Sequence, residues 1–344
     1  MPDPILSIRD LTVEFKTEDG IVQAVSDVSY DLMPGEVLGI VGESGSGKSV
    51  SMLSILGLSP QGRIPKGVAE YKGEDLLKMS PKKLRDIRGG DMAMIFQDPM
   101  TSLNPVLTVG NQIVEALLTH NDGMKDDQAE KRAIELLEVV GVPSADRRIA
   151  QYPHEFSGGM RQRAMIAMAI ANNPSVLIAD EPTTALDVTI QAQILELLKT
   201  IQQRTGSALL LITHDLGVVA EMVDNIIVMY AGQVVEQGTV DQVLLTPRDP
   251  YTMGLLESIP TVEKRGGRLS VITGTVPNPF NMPPACRFQP RCPYAWDLCK
   301  LAAPDLNRAG SGGQLARCHL HTPAGESRLG AALEAHEKAM SIGR

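Results

Sequence analysis

The sequence predicts an α/β core, a mostly parallel sheet covered on both faces by helices, followed by a C-terminal extension, and three observations predict this arrangement. First, Val37-Leu38-Gly39-Ile40-Val41 reads as a buried parallel strand. It runs through Gly42-Glu43-Ser44-Gly45-Ser46-Gly47-Lys48-Ser49 into a helical pattern over residues 50–57 that a glycine closes. Second, further apolar strands over 92–96, 176–181 and 208–213 alternate with stretches of helical period. Third, beyond about Asp241 the periodicity fades and Pro, Gly and Arg become frequent, which sets off a C-terminal extension.

In chain order, residues 5–15 alternate apolar and polar, as in Leu11-Thr12-Val13-Glu14-Phe15, the pattern of a half-buried strand. Residues 16–20 form a turn, 21–32 one or two further strands, and Met33-Pro34-Gly35-Glu36 a turn into the strand that feeds the glycine loop. Residues 82–88 are basic, the mark of a solvated helix face; 92–96 make a short strand ending at Gln97, and Asp98-Pro99 breaks the pattern. From 109 to 140 the period is helical, with Ala133, Leu136, Leu137 and Val140 on one stripe, so this stretch is a helical insert. After Ser157-Gly158-Gly159-Met160, residues 161–171 form a helix in which Met165 and Met168 serve core packing. Residues 176–181 are a strand ending in Asp180 and Glu181. A helix over 188–204, a strand over 208–213 ending at His214, a short helix over 216–222 and a hairpin across Ala231-Gly232 follow. The last stretch, 328–340, is open between a weak helix and disorder.

Bulk properties narrow the function. The chain has 344 residues, enough for about two domains. Its formal net charge of -9 argues against a general nucleic-acid binder. Apolar runs such as 208–212 fall far short of the about 20 residues a membrane helix needs. Met1-Pro2-Asp3-Pro4 has neither the basic nor the long apolar region of a signal peptide, so a cytoplasmic protein is expected, with any membrane role carried by a partner.

Residues 42–49 match G-x-x-x-x-G-K-[ST]. The chemistry needs this arrangement: glycines let backbone N–H groups face phosphates, and the following helix adds positive charge at its N-terminus. Lys48 can reach the β- and γ-phosphates, and the Ser49 hydroxyl can hold Mg²⁺. Downstream, Asp180 would hold Mg²⁺ and Glu181 would polarise an attacking water. Gln97 and His214 also follow strand ends, where ligands bind in open α/β sheets; Gln97 could touch Mg²⁺ and the water, and His214 could sense the γ-phosphate. Singly, a glutamine after a strand is an ordinary loop residue, a histidine is more often structural, and two adjacent acids are often a solvated turn. Their order behind a phosphate loop ties them together.

Cys286, Cys292, Cys299 and Cys318 sit in the last fifth of the chain, spaced C-x5-C-x6-C-x18-C. In a reducing compartment that clustering points to metal before disulfides, and the spacing leaves zinc and an iron–sulfur cluster about even, with unliganded thiols third.

These residues resemble the ATP-binding subunits of ATP-binding cassette (ABC) transporters. Gly42 to Ser49 resemble Walker A, and Val176 to Asp180 resemble Walker B with Glu181 as the catalytic carboxylate. Gln97 matches the Q-loop, Ser157-Gly158-Gly159 the signature, Ala185-Leu186-Asp187 the D-loop and His214 the switch histidine. Phe15 lies where the family stacks an aromatic on adenine. Stretches 43–51, 96–105 and 250–252, with Cys286-Arg287-Phe288 and Pro290-Arg291-Cys292-Pro293, resemble the dipeptide/oligopeptide/nickel importer subfamily, closest on its dipeptide branch. Two departures are Phe156 and Met160, where the signature usually has Leu and Gln, and Asp249, where the subfamily often has His.

The resemblance implies a RecA-like P-loop core with an antiparallel β subdomain over 1–97 and 173–240. It implies a helical signature subdomain over 98–172 and a small cysteine-rich module over 241–344. Implied ligands are ATP, held by Phe15, Gly42, Ser44, Gly45, Ser46, Gly47, Lys48, Ser49, Val50, Asp180, Ser157, Gly158, Gly159 and Asp187, and Mg²⁺ on Ser49, Gln97 and Asp180. It tips the four cysteines toward a structural [4Fe–4S] cluster, with Zn²⁺ the alternative; Tyr294 and Trp296, lying between these cysteines, are read as packing around the site and not as electron carriers. It implies a second, homologous ATPase subunit whose nucleotide is sealed by Ser157–Gly159, two permeases, and a periplasmic or lipid-anchored solute-binding protein at the cytoplasmic face of the membrane. Motion would pass to the permeases through residues 97–118. The expected function is ATP-powered import of dipeptides or oligopeptides. Nickel chelates or glutathione-like peptides are alternative cargo, and an ABC ATPase outside transport is a less fitting alternative.

Overall fold

A computed structural model gives the fold and describes residues 3–184, 186–259, 271–310 and 312–341. The chain divides into two compact units. One comprises Met1–Ser7, Asp31–Val37 and Ala69–Thr213; the other comprises Ile8–Tyr30, Leu38–Val68 and His214–Arg344.

β1 (Leu6–Thr17) is a strand where one was expected, but its burial runs in blocks, Leu6–Ile8 and Leu11–Val13, and does not alternate; of the one or two strands expected over 21–32, the structure has one, β2 (Gly20–Leu32). β3 (Val37–Val41) is buried at every position, and its end opens through the glycine loop into α1 (Lys48–Ile55). That helix buries Ser51, Met52 and Ile55. It stops where Gly57 turns left-handed at φ 64° and the Leu58 N–H donates to the Leu53 carbonyl at 2.8 Å. β4 (Gly62–Tyr71) lies beside β1, which lies beside β2; β5 (Glu74–Asp75) folds back on the end of β4. α2 (Pro81–Ile87) is capped by the Ser80 hydroxyl, which accepts from the Lys83 N–H at 3.3 Å, and β6 (Met92–Ile95) follows.

The helical insert comprises α3 (Pro99–Ser102), α4 (Val109–His120), α5 (Asp126–Val139), α6 (Ala145–Arg148) and α7 (Gly158–Ala169). The single helical span expected over 109–140 is two helices. The Asn121 amide donates to the Leu117 carbonyl at 2.8 Å, and Gly123 takes φ 87°, so the chain turns between them. Ala133, Leu136 and Leu137 are buried on the predicted stripe, and Met165 is buried while Met168 is half-buried.

β7 (Val176–Asp180), α8 (Val188–Thr205) and β8 (Ala208–Thr213) complete the first unit. β6, β7 and β8 pair in parallel, with Met92 beside Val176 and Val176 beside Ala208. α8 turns Ile194, Leu198 and Ile201 inward at helical spacing, each buried side chain stabilising by about 1.5–3 kcal/mol.

In the second unit α9 (Leu216–Met222) leads to the hairpin of β9 (Asn225–Tyr230) and β10 (Gln233–Thr239), with β9 parallel to β3. Beyond them come α10 (Val240–Leu245), α11 (Pro250–Glu257), α12 (Asp297–Leu301), β11 (Asn307–Arg308), β12 (Leu315–Ala316) and α13 (Glu326–Ser341). β12 pairs antiparallel with β10, placing Ala316 beside Glu236, and β11 pairs with β12. Of the two possibilities left open for 328–340, the structure takes the helix; His336 Nδ1 on α13 lies 2.8 Å from Glu257 Oε1 on α11. Among the described residues no helix is long and apolar enough to cross a membrane.

Candidate functional site

The second unit holds the glycine loop. Gly42 sits at φ 153° and Gly47 at φ 95°. A Cβ on Gly42 would stand 2.1 Å from the Met229 carbonyl oxygen, and one on Gly47 would stand 2.6 Å from that of Ala24. Both positions demand glycine on space as well as dihedral angle. Lys48 is 5% exposed, and its ammonium curls back over the loop, donating to the Gly42 carbonyl at 2.8 Å and the Glu43 carbonyl at 3.0 Å. Ser44 and Gly45 are exposed, Ser46 is buried, and Ser49 and Val50 on the first turn of α1 are half-buried. The loop therefore arrives shaped, with its cation folded against its own backbone. Phe15 is half-buried near the end of β1. His214 is exposed just past β8, next to Asp215, which caps α9 by accepting from the Gly217 N–H at 2.9 Å.

The first unit holds the carboxylates. Asp180 ends β7 and is 4% exposed. Glu181 stands one residue on at φ 45°, a left-handed conformation that costs a non-glycine residue on the order of 1 kcal/mol. Its N–H donates to the Ile212 carbonyl at 2.8 Å. Its Oε2 accepts from Gln97 Nε2 at 3.0 Å and from the Thr184 hydroxyl at 2.8 Å. The structure thus brings Gln97 and Glu181 into direct contact, and backbone strain of this kind clusters at functional sites. Ser157 caps α7, accepting weakly from the Met160 N–H at 3.4 Å, and Ser157 and Gly158 are exposed. Phe156 is buried, so an apolar residue larger than the usual Leu fits there. Asp187 is exposed and caps α8, accepting from the Ile190 N–H at 3.0 Å; Ala185 lies outside the described residues.

The expected [4Fe–4S] cluster and its Zn²⁺ alternative have no support among the described residues. Cys286, Cys292, Cys299 and Cys318 line one cavity of the second unit, but its free volume is only ≈ 30 Å³, room for one or two waters. Among the described residues no group of three or more His, Cys, Asp or Glu is placed to hold a metal ion. All four are free thiols. Burial pushes Cys286 up to about 11 and Cys292 up to about 12, raises Cys318 further, and Asp249 acts in the same direction on all three. Spacing placed the four residues together correctly but carried no information on the volume or polarity between them. Trp296 packs edge-on to His319 at 6.1 Å between ring centres, the structural role expected of it.

One group was missed. Glu43, inside the loop, is gripped by Tyr251 and Arg291, which are 208 and 248 positions away in sequence. No local pattern marks such a contact.

A family model for ABC transporters matches residues 25–184, and a model for the C-terminal region of oligopeptide/dipeptide transporters matches 235–299. The dipeptide transport ATP-binding protein DppD of Haemophilus influenzae is 51% identical over 323 residues, covering 94% of this chain and 96% of that protein. The oligopeptide transport ATP-binding protein OppD of Bacillus subtilis is 53% identical over 297 residues, covering 86% and 83%. Among solved structures, the ATP-binding cassette MJ0796 in a dimeric post-hydrolysis state bound to ADP and Pi is 29% identical with a TM-score of 0.62, covering 68% of this chain and 98% of that one.

Proposed function

The chain belongs to the ABC transporter family, and on that footing we propose that it is the ATP-hydrolysing subunit that powers import of dipeptides and oligopeptides across the cytoplasmic membrane. Relatives about half identical over nearly the whole chain bear peptide-transport names, and the C-terminal match is to the same class of transporter. The observation that carries the hydrolytic role is Glu181, strained and hydrogen-bonded to Gln97 at the end of a buried strand.

Each residue then has a chemical task. The amides of 42–49 and Lys48 bind the triphosphate, Lys48 exchanging the carbonyls of Gly42 and Glu43 for phosphate oxygens. Ser46, Gly47 and Val50 shape the loop and first turn, and Phe15 stacks on the base. Glu181 accepts a proton from the attacking water, Gln97 orients that water and His214 contacts the γ-phosphate. Ser49, Gln97 and Asp180 offer hard oxygen donors, a set that suits Mg²⁺ and not a soft metal. When bound, Mg²⁺ offsets the charge that builds on the phosphates. Ser157, Gly158 and Gly159, at the start of the 12-residue α7, and Asp187 at the start of α8 complete the nucleotide site of a second, homologous cassette.

The partners are that cassette, two permeases moved through residues 97–118, and a solute-binding protein outside the cytoplasm; the subunit works at the inner face of the membrane. We assign 1–97 and 173–240 to the nucleotide-binding core, 98–172 to the helical signature subdomain and 241–344 to a C-terminal extension. Reconstitution in vesicles with both permeases, the second cassette and the solute-binding protein tests the reading. Dipeptides or oligopeptides are expected to stimulate ATP hydrolysis, and stimulation by nickel chelates but not by peptides would overturn the proposed cargo.

A further inference from the structure

Glu43 is the first variable residue of the phosphate loop, and every polar group it has is engaged. Its N–H donates to the Tyr251 hydroxyl at 2.9 Å. Its carbonyl accepts from Lys48 Nζ at 3.0 Å and from the Ser46 N–H at 3.2 Å. Its carboxylate takes a two-pronged grip from Arg291, with Nη1 to Oε2 at 2.8 Å and Nη2 to Oε1 at 3.1 Å. Two of those partners lie beyond residue 241, and the carbonyl contacts lie within the loop.

The grip is built to hold a position. The Arg291 side chain is only 6% exposed, and Glu43 is 28% exposed. Arg291 also donates to the Thr273 carbonyl at 3.3 Å, the Ile272 carbonyl at 3.4 Å and the Tyr230 hydroxyl at 3.4 Å, with its guanidinium 5.7 Å from the Tyr230 ring centre. Tyr230 packs on Tyr251 at 4.6 Å and on Phe288 at 5.2 Å between ring centres. A desolvated ion pair of this kind adds little net stability, since the cost of dehydrating both ions offsets their attraction. What it does supply is a fixed geometry, because the guanidinium fork admits one arrangement of the carboxylate.

We propose that Arg291 is a positioning residue for the phosphate loop: by fixing Glu43 it sets the backbone on which Lys48 and the loop amides meet the triphosphate, so the C-terminal segment tunes nucleotide affinity. The inference rests on the ATPase reading above. Without the fork, Glu43 is released, the carbonyls of Gly42 and Glu43 drift, and the loop must be ordered by the nucleotide at the expense of binding.

Titration of the purified full chain with a fluorescent ATP analogue and Mg²⁺ tests it through a double-mutant cycle. Arg291→Gln and Glu43→Gln are each expected to weaken affinity about tenfold, or about 1.4 kcal/mol. The double variant is expected to be no weaker than either single one, because both changes remove the same interaction. Arg291→Lys keeps the charge without the fork and is expected to recover less than half of the loss. Should Arg291→Gln fail to fold, Glu43→Gln opens the same pair from the loop side. Affinities within twofold of the unaltered chain for both single variants would overturn the proposal. So would losses that add to about a hundredfold in the double variant, the mark of general damage. Absence of binding by the unaltered chain would instead overturn the nucleotide reading itself.

Discussion

The phosphate loop and the four-cysteine segment lie in the same unit and make opposite use of sequence spacing. Over residues 42–49 the chain's own backbone builds the site: glycines fit where a Cβ would strike carbonyl oxygens, and the lysine is held by the loop it belongs to. Over 286–318 the spacing brings four thiols to one cavity, but among the described residues no group is placed to hold a metal ion and the space between the thiols holds little. Where backbone atoms are the ligands, sequence order specifies the chemistry. Where side chains are the ligands, surroundings supplied by distant residues decide it.

The contrast breaks or sharpens under substitution. The largest effect is expected at Glu181: Glu181→Gln should lower ATP turnover by about 10³-fold while ATP still binds, as measured by phosphate release beside equilibrium binding. Retained turnover would remove the carboxylate from the mechanism. Lys48→Ala should weaken ATP affinity by about a hundredfold in the same titration, because a buried cation on the phosphates is lost.

A smaller effect concerns how the C-terminal segment attaches. Glu236, wholly buried on β10, accepts from the Arg248 and Asp249 N–H groups at 2.7 and 2.9 Å and from Gln314 at 2.8 Å. Burial pushes its carboxyl up from 4.5 to about 7, and Asp249 is raised as well, by burial and by the charge of Glu236. The folded chain therefore holds protons more tightly than the unfolded chain over that window. Stability should fall as pH rises from about 4.5 to about 7, by up to about 3 kcal/mol. Thermal unfolding across pH 5 to 8 should show the slope, and Glu236→Gln should flatten it. The smallest effect belongs to the thiols. Cys292→Ser should leave hydrolysis within about twofold and lower stability by about 1 kcal/mol. A tenfold loss of activity, or metal released by the substitution, would erase the contrast between the two regions.

Much of this molecule is legible in order along the chain. The apolar runs of β3, β7 and β8 are buried at every position, and the motif residues cap helices as their types suggest, with Ser157 on α7 and Asp187 on α8. The break between α4 and α5 was present as Asn121-Asp122-Gly123 but was masked by a helical period running on both sides. The pairing of β12 with β10 involves strands too short to carry a period, so the fading pattern beyond 241 suggested more independence than the backbone has. The strain at Glu181 is a dihedral angle, which no residue type announces, and the Arg291–Glu43 grip spans 248 positions.

Amide hydrogen exchange of the full chain with and without ATP and Mg²⁺ tests the central claim most directly, that the triphosphate is held by the backbone of residues 42–49. The account predicts that nucleotide slows exchange most strongly in peptides covering that loop and much less across 286–318. Loop amides that exchange at the same rate in both conditions would contradict it.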